Sequence, residues 1–423
     1  MKPKLLTTLE AYDRLQFRHD AVAGGTVALV ALPLSIAIAI ASGAPPAAGL
    51  ITAVVGGLLI SALGGSRVQI GGPTGAFIVV VYGVISKHGL GGLQLATLMA
   101  GIFLLIGGLI RAGRLIRLIP EAVIEGFTIG IALIIAVSQL KDLLGLSEAT
   151  VPADLVEALP ALWAARETIN PLALAVGLFS VAGIALLRRI APWFPGSLLV
   201  IGAASAAVAL LMLPVDTIYS RFGALPTGLP MPSFPHVSIA RISALLPSAF
   251  VIAFLAAVES LLSAIVADRM IGGKHRSTAE LLAQGAANIA SPLFGGLPAT
   301  GAIARTATNV RAGGKTPVAG IVHALVILLI TLGAGWLTGY LAMPALAGLL
   351  IVTAWVMSEP HRWGERMRLR AGDRTLLFLT MILTIATDLT IAIAVGTVAG
   401  LALRLIRKDV EPEEWTPADR SQL

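Results

Sequence analysis

From residue 22 to residue 406 apolar residues come in long blocks, separated by short polar, Gly-containing or Pro-containing breaks. A helix needs about 20 residues to cross the hydrocarbon core of a bilayer. The pattern predicts fourteen spans: 22–41, 45–63, 73–86, 92–112, 120–144, 170–188 and 195–213, then 245–268, 278–292, 301–312, 317–336, 338–357, 374–388 and 389–406. Residues 214–240 are too rich in proline for a helix and form the seam between a first half, 20–213, and a second half, 241–408. Seven is an odd number, so the second half enters the membrane inverted relative to the first. Residues 1–19 read as a polar lead-in without the apolar core of a signal peptide, and 409–423 as a short polar tail.

The third and tenth predicted spans are too short to cross. Each follows a strand-like stretch that ends in helix breakers, Arg67–Pro73 and Ser291–Pro298. Each begins close to the same tripeptide, Thr-Gly-Ala, at Thr74–Ala76 and Thr300–Ala302. Extended backbone at membrane depth is tolerated only when it pairs with protein or lines a cavity. The expectation is two short paired strands, each leading into a half-helix that starts near the midplane. The facing N-termini offer unpaired N–H groups and the positive ends of two helix dipoles to a small anion. Short, Gly/Pro-interrupted segments at matching places in two halves also mark the binding site of a transporter.

Composition adds to this picture. Hydrophobic residues make up 57% of the chain and charged residues 13%, about half the charge of a soluble domain. There is no cysteine, which removes disulfides, thiolate metal sites and Cys nucleophiles. The net charge of +7 is laid out asymmetrically: with a cytoplasmic N-terminus, 24 of the 30 Lys and Arg fall in cytoplasmic segments. Lys87, Lys141, Arg166, Arg221 and Arg241 fall outside, and Arg305 lies within a span. Such a positive-inside bias places both termini in the cytoplasm and accounts for the basic charge without a nucleic-acid partner. The histidines His88, His236, His275, His323 and His361 lack metal-ligand spacing. Gly313–Thr316 matches the end of a phosphate-binding loop, but Asn309 stands where that motif needs its first Gly. Hydrolase motifs are absent. No enzymatic activity, cofactor or metal is expected.

Several segments together resemble the sulfate-permease (SulP) family of anion transporters: Ala28–Ser35, Gly72–Phe77, Pro120–Thr128, Pro298–Asn309 and Gly313–Thr316. The resemblance covers about residues 15–408 and is most specific over 295–320. It implies an all-α membrane fold of fourteen segments in a seven-plus-seven inverted repeat, shared with uracil permeases. In that fold a core domain (spans 1–4 and 8–11) holds the site and moves against a gate domain (spans 5–7 and 12–14). It further implies a bacterial inner-membrane protein, with a homodimer as one assembly. Two departures stand out. Many members carry Gln after the first-span Pro and Tyr four residues beyond it, where this chain has Leu34 and Ile38. The usual C-terminal STAS domain is missing from the sequence, which reads as a short member or a truncated chain.

The resulting substrate-site candidates are Ser35, Thr74, Gly75, Ala76, Thr300, Gly301, Ala302 and Arg305. Their glycines serve either close backbone approach to an anion or plain helix packing. An arginine at membrane depth faces a cavity or a partner; Arg305 supports the anion, or pairs with Glu259, or does both. Glu259 lies mid-span in the eighth helix, where the family places an acidic coupling residue, and is the candidate proton carrier. Sodium coordination is its alternative role, and a structural carboxylate the plain one. Glu121 and Glu125 suit the N-terminus of the fifth span, with a gate contact as the alternative. Asp268 and Arg269 read as solvated, and Asp388 as a cap. The functional reading is a secondary active transporter of a small anion, by proton-coupled symport of a dicarboxylate such as fumarate or succinate. The alternatives are sodium-coupled transport of bicarbonate or sulfate, an anion channel of the same fold, a nucleobase permease and a membrane scaffold.

Overall fold

A computed structural model describes residues 2–114, 120–147, 155–191, 194–224, 228–387 and 389–406. Asp388 and the tail 409–423 lie outside the described residues. The predicted spans appear as span 1 (Arg14–Ala41), span 2 (Pro46–Leu63), spans 3 and 4 (Ile78–Leu109), span 5 (Glu121–Leu144) and span 6 (Pro171–Ile190). Span 7 (Gly196–Leu210) completes the first half. The second half comprises span 8 (Ile239–Ile271), span 9 (Ser277–Leu293), span 10 (Ile303–Arg311), span 11 (Pro317–Ala334), span 12 (Met343–Ser358), span 13 (Ala371–Ala386) and span 14 (Leu389–Ile406).

Spans 3 and 4 are separate helices, as the pattern predicts, and meet at a kink at Gly89, whose φ of 67° is left-handed and suits a residue without Cβ. Two features depart from the sequence pattern. Residues 52–56 of span 2 form a π-turn, a local widening that recurs beside functional sites. A helix at Leu155–Ala164, between spans 5 and 6, carries a proline at 160 and falls in a stretch that reads as a loop.

The two halves interleave. Spans 8 and 9 pack on spans 3 and 4, and spans 9 and 11 on span 2. Span 11 also packs on span 1, and span 10 on spans 8 and 1. A second group joins span 5 to spans 12 and 13, span 6 to spans 7 and 12, and span 13 to span 14. Small residues allow these approaches, as expected where lipid supplies no hydrophobic drive between helices: the Cα of Gly24 sits against the Ala319 carbonyl, and that of Gly126 against Leu377.

Ionisable residues tie the ends of the helices. Asp20 is fully buried at the start of span 1 and accepts from the backbone N–H of Lys315 (2.8 Å) and Thr316 (3.1 Å) and from the Thr316 hydroxyl. The loop that resembled a phosphate cradle therefore holds a carboxylate of its own chain at the N-terminus of span 11. Tyr12 donates to Asp20 (3.1 Å), and burial followed by the neighbouring carboxylate pushes its phenol up to about 12. Glu125 does more than suit a helix start. It is buried and pairs with Arg362 (2.6 Å) and Arg366 (3.4 Å), which both also bind Glu359, at 3.0 and 3.1 Å. This cluster fastens span 5 to the segment after span 12. Asp268 is likewise engaged, accepting from His275 Nδ1 at 2.7 Å.

Candidate functional site

Two strands of two residues each, β1 (Gly71–Gly72) and β2 (Thr300–Gly301), pair antiparallel with Gly71 opposite Gly301 and Gly72 opposite Thr300. Their flanks are satisfied largely by side chains. Span 10 supplies Thr306 Oγ1, which accepts from Ile70 N (3.1 Å), and Asn309 Nδ2, which donates to the Val68 carbonyl (2.8 Å). Span 9 supplies Asn288, which donates to the Ala299 carbonyl (2.7 Å) and accepts from Ala299 N (2.9 Å). Span 2 supplies Thr52 Oγ1, accepting from Leu297 N (2.6 Å). Two short stretches of extended backbone, one before each strand, thus survive at membrane depth because polar side chains stand in for missing strands. Asn288→Ala is expected to cost about 1–3 kcal/mol for each of the two backbone groups it orphans. Thermal unfolding of the purified protein in detergent checks this; an unchanged midpoint would contradict it.

Arg305, one turn into span 10, is 2% exposed. Its Nη2 donates to the Pro73 carbonyl (2.9 Å) and to Ser35 Oγ (3.2 Å). Its Nη1 lies against the Cα of Gly72, whose φ of 150° and lack of Cβ make the room. Nε and Nη1 have no hydrogen-bond partner in the protein, and neither has the buried hydroxyl of Thr74. Among the described residues Arg305 forms no ion pair, so the expected pairing with Glu259 is not made. The guanidinium is held by neutral oxygens, and no carboxylate among the described residues is in contact with it.

The other candidates divide. Ser35 is fully buried in span 1 below Pro33, and it joins Arg305. Gly75 and Ala76 open the turn that leads into span 3, and a methyl at Gly75 would lie 3.1 Å from Met357 Sδ of span 12 and 3.6 Å from Ile135 Cδ1 of span 5. The start of this half-helix therefore lies where the two groups of helices meet. Thr300 turns away, donating to the Ala256 carbonyl of span 8 (3.0 Å). Ala302 already donates its N–H to the Ile70 carbonyl (2.9 Å). Gly301 is crowded by the amide of Gln69, which occupies the space of a Cβ. On the second half, close approach at the repeated tripeptide is thus made by the protein itself.

Glu259 is half-buried on span 8. Next to it in sequence, Ser260 is fully buried and begins a network that the sequence reading missed. Gln69 donates to Ser260 Oγ (3.0 Å), Ser260 donates to Glu280 Oε1 (2.8 Å), and Gln284 donates to both, at 2.7 and 3.0 Å. Glu280 Oε2 accepts from the backbone N–H of Gly65 (2.9 Å) and Ser66 (3.3 Å). A signal was available: Glu280, Gln284 and Asn288 recur every four residues on one face of an apolar helix, an arrangement that puts a polar stripe in the protein interior.

The chain matches the model of the sulfate permease family over residues 17–382. A putative sulfate transporter of Bacillus subtilis is 41% identical over 92% of this chain and 73% of its own length. A bicarbonate transporter, BicA, of Picosynechococcus is 29% identical over 94% of this chain and 72% of its own length. Among solved structures, the transmembrane domain of a cyanobacterial BicA superposes with a TM-score of 0.81 at 28% identity, covering 92% of this chain and 98% of that one. SLC26A9 superposes at 0.85 with 20% identity, over 96% of this chain and 68% of that one, and speaks for the fold alone. The architecture is the seven-plus-seven inverted repeat of these transmembrane domains. By the extent of the family match and of its relatives, the chain belongs to the sulfate permease family.

Proposed function

We propose that this chain is a secondary carrier of a small inorganic oxyanion, sulfate or bicarbonate, which binds beside Arg305 where spans 1, 3 and 10 meet. The observation that carries the reading is the buried guanidinium with two unpartnered nitrogens and, among the described residues, no carboxylate in contact. A buried charge in that condition is costly until something of opposite sign joins it. Thr74 Oγ1, Ser35 and the N–H groups that open the half-helix after β1 supply further polar contacts. The relatives' names, sulfate transporter and bicarbonate transporter, point the same way. A dicarboxylate calls for a second cation to meet its far end, and beside the two strands Arg305 is the buried arginine or lysine among the described residues. Sulfate, bicarbonate, fumarate and chloride, compared as competitors of uptake in proteoliposomes, test the assignment. Competition by fumarate alone would overturn it.

Transport follows if spans 1–4 and 8–11 move as one body against spans 5–7 and 12–14. The packing of span 5 with spans 12 and 13, and of Gly75 against Met357 and Ile135, supports a boundary at the site. Positive charge on the loops favours cytoplasmic termini in a bacterial inner membrane. For the coupling ion, Glu259 is the candidate, carrying a proton or contributing to a sodium site. Glu259→Gln is expected to abolish accumulation driven by the cation gradient while preserving exchange of internal for external anion. Accumulation that survives the substitution removes Glu259 from coupling.

A further inference from the structure

The chain passes three times between the core group, spans 1–4 and 8–11, and the gate group, spans 5–7 and 12–14. Two of these passages, from span 7 to span 8 and from span 11 to span 12, follow an odd number of spans. They therefore lie on the membrane face opposite the N-terminal segment, and there their backbones pair. Ile218 donates its N–H to the Leu341 carbonyl (3.0 Å) and Met343 its N–H to the Asp216 carbonyl (2.8 Å). Thr217 and Ala342 face each other between these bonds in an antiparallel bridge. A short helix, Ile218–Phe222, capped by Thr217 and Ser220, follows the bridge and packs on the 3₁₀ turn Gly335–Tyr340. Gly339 permits this approach, since a methyl on it would lie 3.5 Å from Tyr219 Cβ. Ile218 and Ala342 are fully buried.

Three bonds tie this patch to the gate group. Ala342 donates its N–H to Ser205 Oγ of span 7 (3.0 Å). The Pro214 carbonyl accepts from Asn170 Nδ2, on the residue that caps span 6 (2.7 Å). Arg221 pairs with Asp142 near the end of span 5 (2.7 Å), and also with Asp216 inside the patch (3.3 Å). Toward the core group the backbone changes character. It leaves the patch through Gly223 and Gly228, whose φ values of 71° and 155° suit residues without Cβ. By Ser233 it is held by the core group, because that N–H donates to the Leu293 carbonyl at the end of span 9 (2.8 Å). On the other passage, span 11 ends at Ala334, whose φ of −131° and ψ of 15° leave the helical range. A methyl on the next residue, Gly335, would meet nothing within 4 Å.

We infer that the paired passages form one rigid plate that travels with the gate group, and that the chain bends on the core side of it, between Gly223 and Ser233 and at Ala334–Gly335. The inference rests on the two groups moving against each other. Hinges are a few residues at loops and element ends, which absorb the change in φ and ψ while packed, hydrogen-bonded segments move whole. Joining the two passages also makes spans 8 and 11 swing from a common support.

The chain has no cysteine, so introduced pairs report without background. Thr217 and Ala342 form a non-hydrogen-bonded pair, with Cα atoms about 4.5 Å apart in such geometry, within the reach of a disulfide. Thr217→Cys with Ala342→Cys, oxidised in proteoliposomes, is expected to show no loss of sulfate uptake. Uptake that stops on oxidation and returns on reduction would mean that the passages part during transport, and overturns the inference. Spin labels give a second measurement, independent of that pair. Tyr219→Cys on the plate is combined with Leu199→Cys on span 7 or with Leu246→Cys on span 8, all three exposed positions. The distance to span 7 is expected to stay single and unchanged on adding sulfate, and the distance to span 8 to shift or split. A shift in the distance to span 7 overturns the inference. Two distances that both stay single and fixed in a chain that transports sulfate remove the two-group motion itself, and the inference with it.

Discussion

Arg305→Met is expected to lower anion uptake in proteoliposomes roughly 100-fold while leaving the thermal unfolding midpoint unchanged or raised. The two halves of this expectation have one cause. Charge-assisted hydrogen bonds contribute about 1.5–3 kcal/mol each, and about 1.4 kcal/mol is a factor of ten in affinity; losing two of them takes binding down by that order. In the empty protein the same guanidinium is 2% exposed and rests on the Pro73 carbonyl and Ser35 with no carboxylate partner. Removing a buried charge without a carboxylate partner relieves a desolvation cost of several kcal/mol, which offsets the about 1–3 kcal/mol for each acceptor, Pro73 carbonyl and Ser35 Oγ, left without its donor. Function and stability therefore separate, as at sites strained for their task. Arg305→Lys is expected to fall between, because an ammonium keeps the charge but cannot reach Pro73, Ser35 and a ligand at once. Wild type should gain thermal stability on adding sulfate, and Arg305→Met should not. A variant that unfolds early and binds sulfate normally would show that the arginine is structural.

Much of this architecture was legible in the chain because it is dictated by lipid. Apolar blocks of spanning length, proline-rich breaks and an odd count per half fix the spans and the inversion, and the two Gly/Pro-interrupted segments fix the strand pair. What periodicity does not carry is which polar groups satisfy the interrupted backbone. Asn288 against Ala299, Thr306 against Ile70 and Asn309 against Val68 join residues separated by 11, 236 and 241 positions, respectively. Only the fold brings the last two together. The same holds for charge. Arg305 was readable as an intramembrane cation, but its choice of Pro73 and Ser35 over Glu259 depends on where span 10 crosses span 1. Glu125 looked like an acid suited to a helix start, and its arginine partners come from beyond span 12.

Gly301→Ala is the substitution whose result decides what the repeated tripeptide does in the second half. A methyl there overlaps Gln69 Nε2, and Gln69 is held by Ser260 Oγ at 3.0 Å and its carbonyl at 3.2 Å. Displacing the amide breaks the head of the Ser260–Glu280–Gln284 network and strains the pairing of Gly71 with Gly301. Overpacking costs about 1–3 kcal/mol, and each orphaned buried polar group about as much again, so the unfolding midpoint should drop sharply and uptake should fail. Gln69→Ala alone should also destabilise, by removing one of the two amides that donate to Ser260 Oγ and opening a cavity beside Gly301. The double variant is expected to be more stable than the sum of the two singles, with a coupling of about 1–3 kcal/mol, because the methyl then enters the space the amide leaves. If the glycine is there to make room for Gln69, uptake returns along with stability. If the bare backbone is there for the anion, stability returns and uptake stays lost, since the methyl still blocks the approach. The crowding of Gly301 by Gln69 favours the first outcome; on the proposed reading the anion then meets the first-half tripeptide, where Thr74 Oγ1 is buried without a partner and Gly75 faces Met357 across the boundary between the two groups of helices.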